Sequence, residues 1–458
     1  MQTNFNALQL GDPTIARADE IIRRCVHCGL CTATCPTYVL TGDERDSPRG
    51  RIYLMKQMFE SREVTASTVH HIDRCLSCLG CMTACPSGVD YMHLVDLARV
   101  RIEQRAHRGT KQRATRWLLS RVLPNPRRFR FMLVLGWFMK PFRNLFAKMG
   151  FRRIAAALNL VPRGALKMKV LKPKSALNPD APQAKRVALM LGCVQEVLAP
   201  QINIAAIRLL KRHGVDVVIV KDEACCGALV HHLGREEEAR DFARRNIDAW
   251  TAVMRERLLD AVIVTAGGCG TMLKDYGNLL ARDRGYAERA AYVSGLARDI
   301  TEFLDDIGLN PPVMWTGLKL AYHSACSLQH GQRLDELPRA LLEQAGYTLV
   351  DIPEGHLCCG SAGSYNILEP ELSGELRERK LRNIDRIKPD VIVTGNIGCM
   401  AQLQGGTEVP FVHTVELLDW ATGGPCPPSL IKMKDSAHPI EALVEMARMS
   451  AKEREFAD

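Results

Sequence analysis

This 458-residue chain has the composition of a globular protein with room for two or three domains, at 47% hydrophobic and 24% charged residues. No stretch reaches 18 apolar residues, which argues against a transmembrane helix, and Met1 to Asp19 shows no pattern typical of a secretory signal. The net charge of +10 comes from one segment. Residues 104–174 contain 19 Lys and Arg and no acidic residue, whereas the remainder carries 42 basic and 51 acidic residues.

Two near-identical cysteine strings lie within the first hundred residues. They read Cys25-x2-Cys28-x2-Cys31-x3-Cys35-Pro36 and Cys75-x2-Cys78-x2-Cys81-x3-Cys85-Pro86. This spacing is typical of two [4Fe–4S] clusters, because three thiolates wrap one cluster and the fourth, before proline, ligates the other. It predicts one cluster at Cys25, Cys28, Cys31 and Cys85, and a second at Cys75, Cys78, Cys81 and Cys35. Structural zinc sites usually pair two Cys-x2-Cys hairpins that lie well apart in the sequence, and disulfides require an oxidising compartment. The two strings therefore favour iron–sulfur clusters over zinc or disulfides.

Residues 1–103 are expected to form the cluster domain, a helical 2[4Fe–4S] ferredoxin-type domain. Helical spacing of apolar residues predicts helices over Arg49 to Glu60 and about Tyr91 to Arg108, and Asp43 to Gly50 is predicted to be a loop.

Residues 104–184 form a basic, helical connector. Its apolar stretch Phe131 to Met139 is flanked by Arg128, Arg130 and Lys140, and is too short to span a bilayer. Such a segment fits a surface on anionic lipid, a docking site for an acidic partner subunit, or a linker on the chain's own acidic body. No nucleic-acid-binding motif accompanies the charge, so no nucleic-acid partner is expected.

Residues 185–425 contain an internal repeat. Cysteines Cys193, Cys225, Cys226 and Cys269 of the first copy correspond to Cys326, Cys358, Cys359 and Cys399 of the second. The offsets of 133, 133, 133 and 130 residues indicate duplication of one unit. Apolar runs such as Val187–Leu191 in the first copy and Val391–Thr394 in the second precede the cysteines and predict strands. Helical periods such as Glu236–Glu256 and Glu371–Ile387 separate them.

The sequence therefore predicts an α+β protein with two repeated α/β units, residues 185–310 and 311–425, each with a parallel sheet. The cysteines are expected at the carboxyl ends of strands, where open α/β sheets place ligands. Residues 426–458 are predicted to be a tail with a helix over Ile440 to Phe456.

The second cysteine set resembles the cysteine-rich CCG domain of heterodisulfide reductase subunits, which can bind a non-cubane [4Fe–4S] cluster. That motif ends in Cys-x2-Cys, but Ala266 and Asn396 stand where the earlier cysteine of the pair belongs. Three roles are open for these eight cysteines. They are ligands for a further iron–sulfur cluster or zinc, members of a redox-active or quinone-facing thiol site, or buried structural residues. His323, His330 and His356 are additional candidate ligands or ordinary core histidines.

With both cysteine sets, the chain resembles the iron–sulfur subunit of glycolate oxidase, also called glycolate dehydrogenase. The resemblance covers nearly all of residues 1–425. It rests on the stretches Cys25–Tyr38, Ser47–Leu54, Arg74–Cys78, Arg245–Trp250, His356–Gly363 and Asn396–Cys399.

The resemblance implies a complex with FAD-binding flavoprotein subunits that oxidise glycolate to glyoxylate, with electrons passing to a membrane quinone or another acceptor. It also implies a peripheral position on the cytoplasmic side of the inner membrane. No strand-linked Gly-x-Gly-x-x-Gly is present, so the chain itself is not expected to bind FAD or NAD, and no catalytic residue is predicted on it. The alternatives are a catalytic heterodisulfide reductase-like subunit, or an iron–sulfur subunit for lactate or glycerol-3-phosphate oxidation.

Overall fold

The computed structural model describes residues 1–162, 164, 175, 176 and 184–431. The chain divides into two compact units. The first comprises the described residues of Met1–Arg163, Gly227–Asp241 and His356–Arg379, and the second those of Gly164–Cys226, Phe242–Gly355 and Lys380–Asp458. None of the helices in the described residues is long and apolar enough to cross a membrane. The domain boundaries inferred from the sequence stay predictions.

The first unit is helical. Its α-helices are Ala7–Leu10, Pro13–Arg23, Pro36–Thr41, Pro48–Ser61, Ala66–Asp73, Gly80–Thr83, Tyr91–Arg105, Thr110–Val122, Pro126–Met139, Arg143–Lys148, Arg152–Leu160, Ala228–His231 and Tyr365–Leu368. Short 3₁₀ turns span Glu44–Asp46 and Lys140–Phe142. The helices predicted over Arg49–Glu60 and from Tyr91 are confirmed, each within a few residues at its ends.

Helix Pro48–Ser61 shows why the cluster domain folds as it does. Ser47 caps it, because the Ser47 side chain accepts a hydrogen bond from the backbone N–H of Gly50, and Pro48 occupies the first turn. The helix buries Ile52, Met55, Met58 and Phe59 in the core of the first unit. The residues before it, predicted to be a loop, contain the 3₁₀ turn and the start of the helix.

The second unit contains two four-stranded parallel sheets. The strands of the first are β1 (Arg186–Met190), β2 (Asp216–Val218), β3 (Ala261–Val264) and β4 (Ala297–Asp299), in the order β2-β1-β3-β4. Those of the second are β5 (Lys319–Tyr322), β6 (Thr348–Val350), β7 (Val391–Thr394) and β8 (Phe411–His413), in the order β6-β5-β7-β8. The identical order confirms the predicted repeat of parallel α/β units.

Helices accompany the sheets. They are Gln195–Leu198, Pro200–Arg212, Gly267–Lys274, Tyr276–Leu279, Ala287–Leu296, Ile300–Ile307, Glu336–Gln344, Ile397–Leu403, Thr414–Ala421 and Pro428–Ile431, with a π-helix at Ser327–Gln332 and a 3₁₀ turn at Gln404–Gly406. The longer helices Glu236–Met254 and Pro370–Ile387 match the helical periods seen in the sequence. The helix predicted over Ile440–Phe456 lies outside the described residues, as does most of the connector after Val161.

Candidate iron–sulfur sites

The two ferredoxin-type cysteine loops have positive φ angles at equivalent positions. His27 and Gly29 in the first loop have φ of 62° and 85°, and the equivalent Ser77 and Leu79 in the second have 50° and 63°. Positive φ is unfavourable for residues with a side chain, and such strain concentrates at functional sites. The repeated conformation therefore indicates two loops built for the same task.

One cavity of the first unit collects cysteines from both strings. Cys25, Cys28 and Cys31 line it from the first loop, and Cys81 and Cys85 from the second. Cys85 thus lies at the first loop although 54 residues separate it from Cys31. Ile52, Val89 and Tyr91 add an apolar wall.

Cys35 and Cys75 are buried, and Cys81 is partly buried. Cys35 and Cys75 are 6% and 8% exposed, and the Tyr91 hydroxyl donates to the Cys75 sulfur at 3.7 Å. Burial, followed by the negative charges of Cys78, Cys75, Cys35 and Cys31, raises the pKa of the Cys81 thiol well above its usual value. The pKa of Cys31 is raised to about 11, mainly by burial.

These pKa shifts test whether the residues fit iron. The raised pKa values of Cys31 and Cys81 favour their protonated thiols, and a bound cation removes this penalty because thiolates are its ligands. The donor set of eight thiols in two loops therefore fits iron–sulfur clusters, whose ligands are thiolates.

A buried arginine lies beside Cys35. Arg51, 1% exposed, donates through Nη1 to the Cys35 sulfur at 3.7 Å and through Nε to the His71 carbonyl at 2.7 Å. Its Nη2 lies 3.3 Å from Asp46, whose carboxylate also contacts His71 Nδ1 at 2.8 Å and Arg74 at 3.0 Å. Sequence reasoning missed this network, although Arg51 belongs to the Ser47–Leu54 stretch that carried the family resemblance.

The four cysteines of the first CCG repeat converge in the second unit. The Cys193 and Cys225 sulfurs are 3.4 Å apart, as are those of Cys226 and Cys269. Cys193 follows β1, and Cys269 lies in the helix after β3. The predicted location at strand carboxyl ends is therefore observed. Hydrogen bonding to Cys226, together with burial, raises the pKa of the Cys269 thiol well above its usual value.

Asn246 and Tyr276 fix the Cys225–Cys226 turn. Asn246 belongs to the Arg245–Trp250 stretch that carries the family resemblance, whereas the sequence did not single out Tyr276. Asn246 Nδ2 donates to the Cys225 carbonyl at 3.1 Å, and the Tyr276 hydroxyl donates to the Cys226 carbonyl at 2.8 Å. Both partners are backbone carbonyls, so these two hydrogen bonds hold the turn without using the cysteine sulfurs.

The glycine of each CCG motif is required by its backbone. Gly227 and Gly360 have φ of 90° and 88°. A Cβ on Gly227 would lie 3.2 Å from the Ala239 carbonyl oxygen, and one on Gly360 only 2.7 Å from that of Ser373. A side chain at either position would be strained and crowded.

In the second repeat, Cys326 and Cys399 belong to the second unit, and Cys358 and Cys359 to the first. Asn396, where the family motif has cysteine, donates from Nδ2 to the Cys399 sulfur at 3.3 Å. His323 is 2% exposed, and neither ring nitrogen forms a hydrogen bond with any residue that the structure describes. Burial lowers the pKa of His323 to about 3. A ring nitrogen of His323 lies within 4.8 Å of the Cys399 sulfur, so this neutral imidazole fits a metal ligand.

The geometry defines a class: an iron–sulfur protein with a dicluster ferredoxin-type domain and two cysteine-rich α/β repeats. Family models agree. Residues 24–89 match the 4Fe-4S dicluster domain, and residues 187–274 and 320–404 match the cysteine-rich domain.

Relatives that match this chain over nearly their whole length show which family within this class it belongs to. The chain is 40% identical to the glycolate oxidase iron-sulfur subunit of Escherichia coli K12, over 92% of this chain and 99% of the relative. It is 32% identical to the probable glycolate oxidase iron-sulfur subunit of Bacillus subtilis 168, with the same coverage. Lactate utilization protein A of Geobacillus thermodenitrificans is 25% identical over 51% of this chain and 98% of its own length.

The chain belongs to the family of glycolate oxidase iron–sulfur subunits. It is therefore an iron–sulfur electron-transfer subunit of an oxidoreductase complex.

Proposed function

We propose that this chain carries electrons from a FAD-binding partner, which oxidises glycolate to glyoxylate, to a quinone in the membrane. The observation that carries the proposal is the pair of matched cysteine loops, combined with similarity to glycolate oxidase subunits along 92% of the chain. When bound, a [4Fe–4S] cluster supplies one-electron redox chemistry, whereas a flavin exchanges one or two electrons.

The proposed ligands are Cys25, Cys28, Cys31 and Cys85 for one cluster, and Cys75, Cys78, Cys81 and Cys35 for the other. The cavity that Cys85 shares with the first loop supports the first set. The charges of Cys78, Cys75 and Cys35, ahead of that of Cys31, raise the pKa of Cys81 and support the second. Cys81 also borders the first cavity, so the two sites are neighbours within one unit.

The basic connector is proposed to rest on an anionic membrane surface. Eleven of the 21 large apolar side chains exposed by the described residues lie between Trp117 and Ile154, among them Phe131 at 67% and Phe138 at 58%. Exposed Arg127, Arg128 and Arg130 accompany them. Aromatic side chains inserted among lipids with arginines at the headgroups are the pattern of interfacial helices.

Vesicle binding tests this surface. The double change Phe131→Ser and Phe138→Ser should weaken co-sedimentation with anionic vesicles, and neutral vesicles should bind poorly. Leu258→Ser is the matched control, because Leu258 is 68% exposed but lies in the other unit. Equal binding by the double variant and the control would refute the membrane surface and favour a partner subunit or an internal linker.

Dye-linked oxidation by the assembled complex tests the substrate. Glycolate should be oxidised faster than D-lactate, L-lactate or glycerol-3-phosphate. Lactate is the second candidate, because half of the chain is similar to lactate utilization protein A. Faster oxidation of lactate would make lactate the proposed substrate in place of glycolate. Reduction of a substrate disulfide by the chain would favour the heterodisulfide reductase-like alternative.

A further inference from the structure

Two histidines and one aspartate form a cluster in the first unit. Asp96 lies on helix Tyr91–Arg105. His231 and His232 lie in the segment Gly227–Asp241, which belongs to the same unit. One nitrogen or oxygen atom of each side chain lies within 4.8 Å of the corresponding atoms of the other two. Two imidazoles and one carboxylate are a ligand set that binds divalent first-row metal ions and leaves further coordination positions open.

The distances leave room for an ion between the side chains. His231 Nδ1 lies 3.8 Å from Asp96 Oδ2, which is too long for a hydrogen bond. Two atoms bound to one ion at about 2.1 Å, with their bonds at right angles, are about 3 Å apart. This pair therefore needs to approach by less than about 1 Å to share an ion. Asp96 and His231 are 8% and 7% exposed, whereas His232 is exposed, so its ring can turn towards the other two ligands.

The backbone that bears the histidines is held against the helix of Asp96. Gly234 has a φ of 76°, and a Cβ at this position would lie only 2.5 Å from the Arg99 carbonyl oxygen. Arg116 Nη2 donates a hydrogen bond to the Leu233 carbonyl at 2.8 Å. Because both anchors lie next to the histidine pair in the chain, the ligands are positioned before an ion binds.

The charges around the cluster allow a cation of moderate affinity. Arg99 Nη1 lies 3.8 Å from Asp96 Oδ1. However, the Arg99 guanidinium donates its short hydrogen bonds to the Ser77 hydroxyl at 2.5 Å and to the Cys75 carbonyl at 2.6 Å. Its positive charge opposes a bound cation, and the carboxylate of Asp96 attracts one. We therefore expect an ion that exchanges with the solvent.

A small polar cleft provides space for the remaining ligands. His232 and Arg99 line it, together with Ser77 and Gln112. The cleft has a volume of about 40 Å³, which is enough for about three waters at about 10–15 Å³ each. Water can therefore complete the coordination of an ion that prefers six ligands.

We propose that Asp96, His231 and His232 bind one divalent metal ion of the Mn²⁺ or Fe²⁺ class, with water in the other positions. The carboxylate and the hydrated side of the site suit such ions, whereas softer ions prefer the thiolates of the cysteines. The bound ion connects the segment Gly227–Asp241 to helix Tyr91–Arg105, and it therefore stabilises the folded first unit.

Binding of Mn²⁺ to the iron-loaded protein tests the site. The EPR signal of free Mn²⁺ at room temperature falls as the ion binds, and the clusters give no signal at this temperature. The wild type should bind one Mn²⁺ per chain. Asp96→Asn removes the charge of the carboxylate and His232→Gln removes a ligand nitrogen, so each should raise Kd at least tenfold. Saturating Mn²⁺ should raise the Tm of the wild type more than that of either variant.

His107→Gln is the matched control, because His107 is an exposed histidine of the same unit, and it should leave Kd unchanged. Wild-type protein that leaves the signal of free Mn²⁺ unchanged would overturn the site. Equal Kd in the wild type, Asp96→Asn and His232→Gln would also overturn it, because the ion would then be held by other residues. If Asp96→Asn loses iron, His232→Gln decides, since His232 is exposed.

Discussion

The buried guanidinium of Arg51 should raise the reduction potential of the cluster proposed at Cys35, Cys75, Cys78 and Cys81. A reduced cluster carries one more negative charge than an oxidised one, so a nearby fixed positive charge stabilises the reduced form. Arg51→Gln removes that charge and should lower the potential of this cluster relative to its neighbour.

The magnitude follows from the 3.7 Å between Arg51 Nη1 and the Cys35 sulfur. Unit charges at this distance interact by about 4–5 kcal/mol at an effective dielectric constant of about 20. Asp46, 3.3 Å from Nη2, offsets part of the positive charge, and the added electron is spread over the cluster. About 1–3 kcal/mol remains, or about 40–130 mV for one electron.

An EPR-monitored redox titration of the anaerobic protein measures this shift. Arg51→Lys should restore part of the potential, because it keeps the charge without the fork of hydrogen bonds. Arg101→Gln is the control. Arg101 is a buried arginine of the same unit, 9% exposed, that stacks on the Phe59 ring. A potential in Arg51→Gln within about 20 mV of wild type, at full iron content, would refute the electrostatic reasoning.

Three further outcomes are expected. Cys35→Ser should remove the EPR signal of the cluster at Cys75 and spare that at Cys25; the reverse loss would refute the crossed ligation. Iron and acid-labile sulfide near eight each per chain, without zinc, would indicate two [4Fe–4S] clusters and metal-free CCG repeats, whereas about twelve would place another cluster among the CCG cysteines. Glu416 is 5% exposed, and burial raises its pKa to about 7. In the folded protein it therefore keeps a proton that the unfolded chain already releases near pH 4.5. As a result, the free energy of unfolding falls as the pH rises through this window. Glu416→Gln should therefore gain about 1–3 kcal/mol relative to wild type between pH 5 and pH 8, measured by unfolding at both values, and an equal difference at the two pH values would contradict the assignment.

The strands show where local sequence stops predicting structure. Runs such as Val187–Leu191 and Val391–Thr394 predicted β1 and β7, because continuous apolar segments must be buried on both faces of a parallel sheet. Strand β4, Ala297–Asp299, has no such run, and its conformation follows from pairing with β3. Strand β8, Phe411–His413, was likewise not predicted from an apolar run, and its conformation follows from pairing with β7.

The sequence alone determined the dicluster cysteine spacing, the duplicated CCG unit and the parallel α/β character, because ligand spacing and apolar periodicity are local properties of the chain. The tertiary structure decided which side chains surround those cysteines. Arg51 reaches Cys35 from 16 residues away, Tyr276 reaches the Cys226 carbonyl from 50, and Tyr365 shares a cleft with Cys75 across 290 residues of chain. Such neighbours depend on how whole helices pack, and packing leaves no short-range pattern in the sequence.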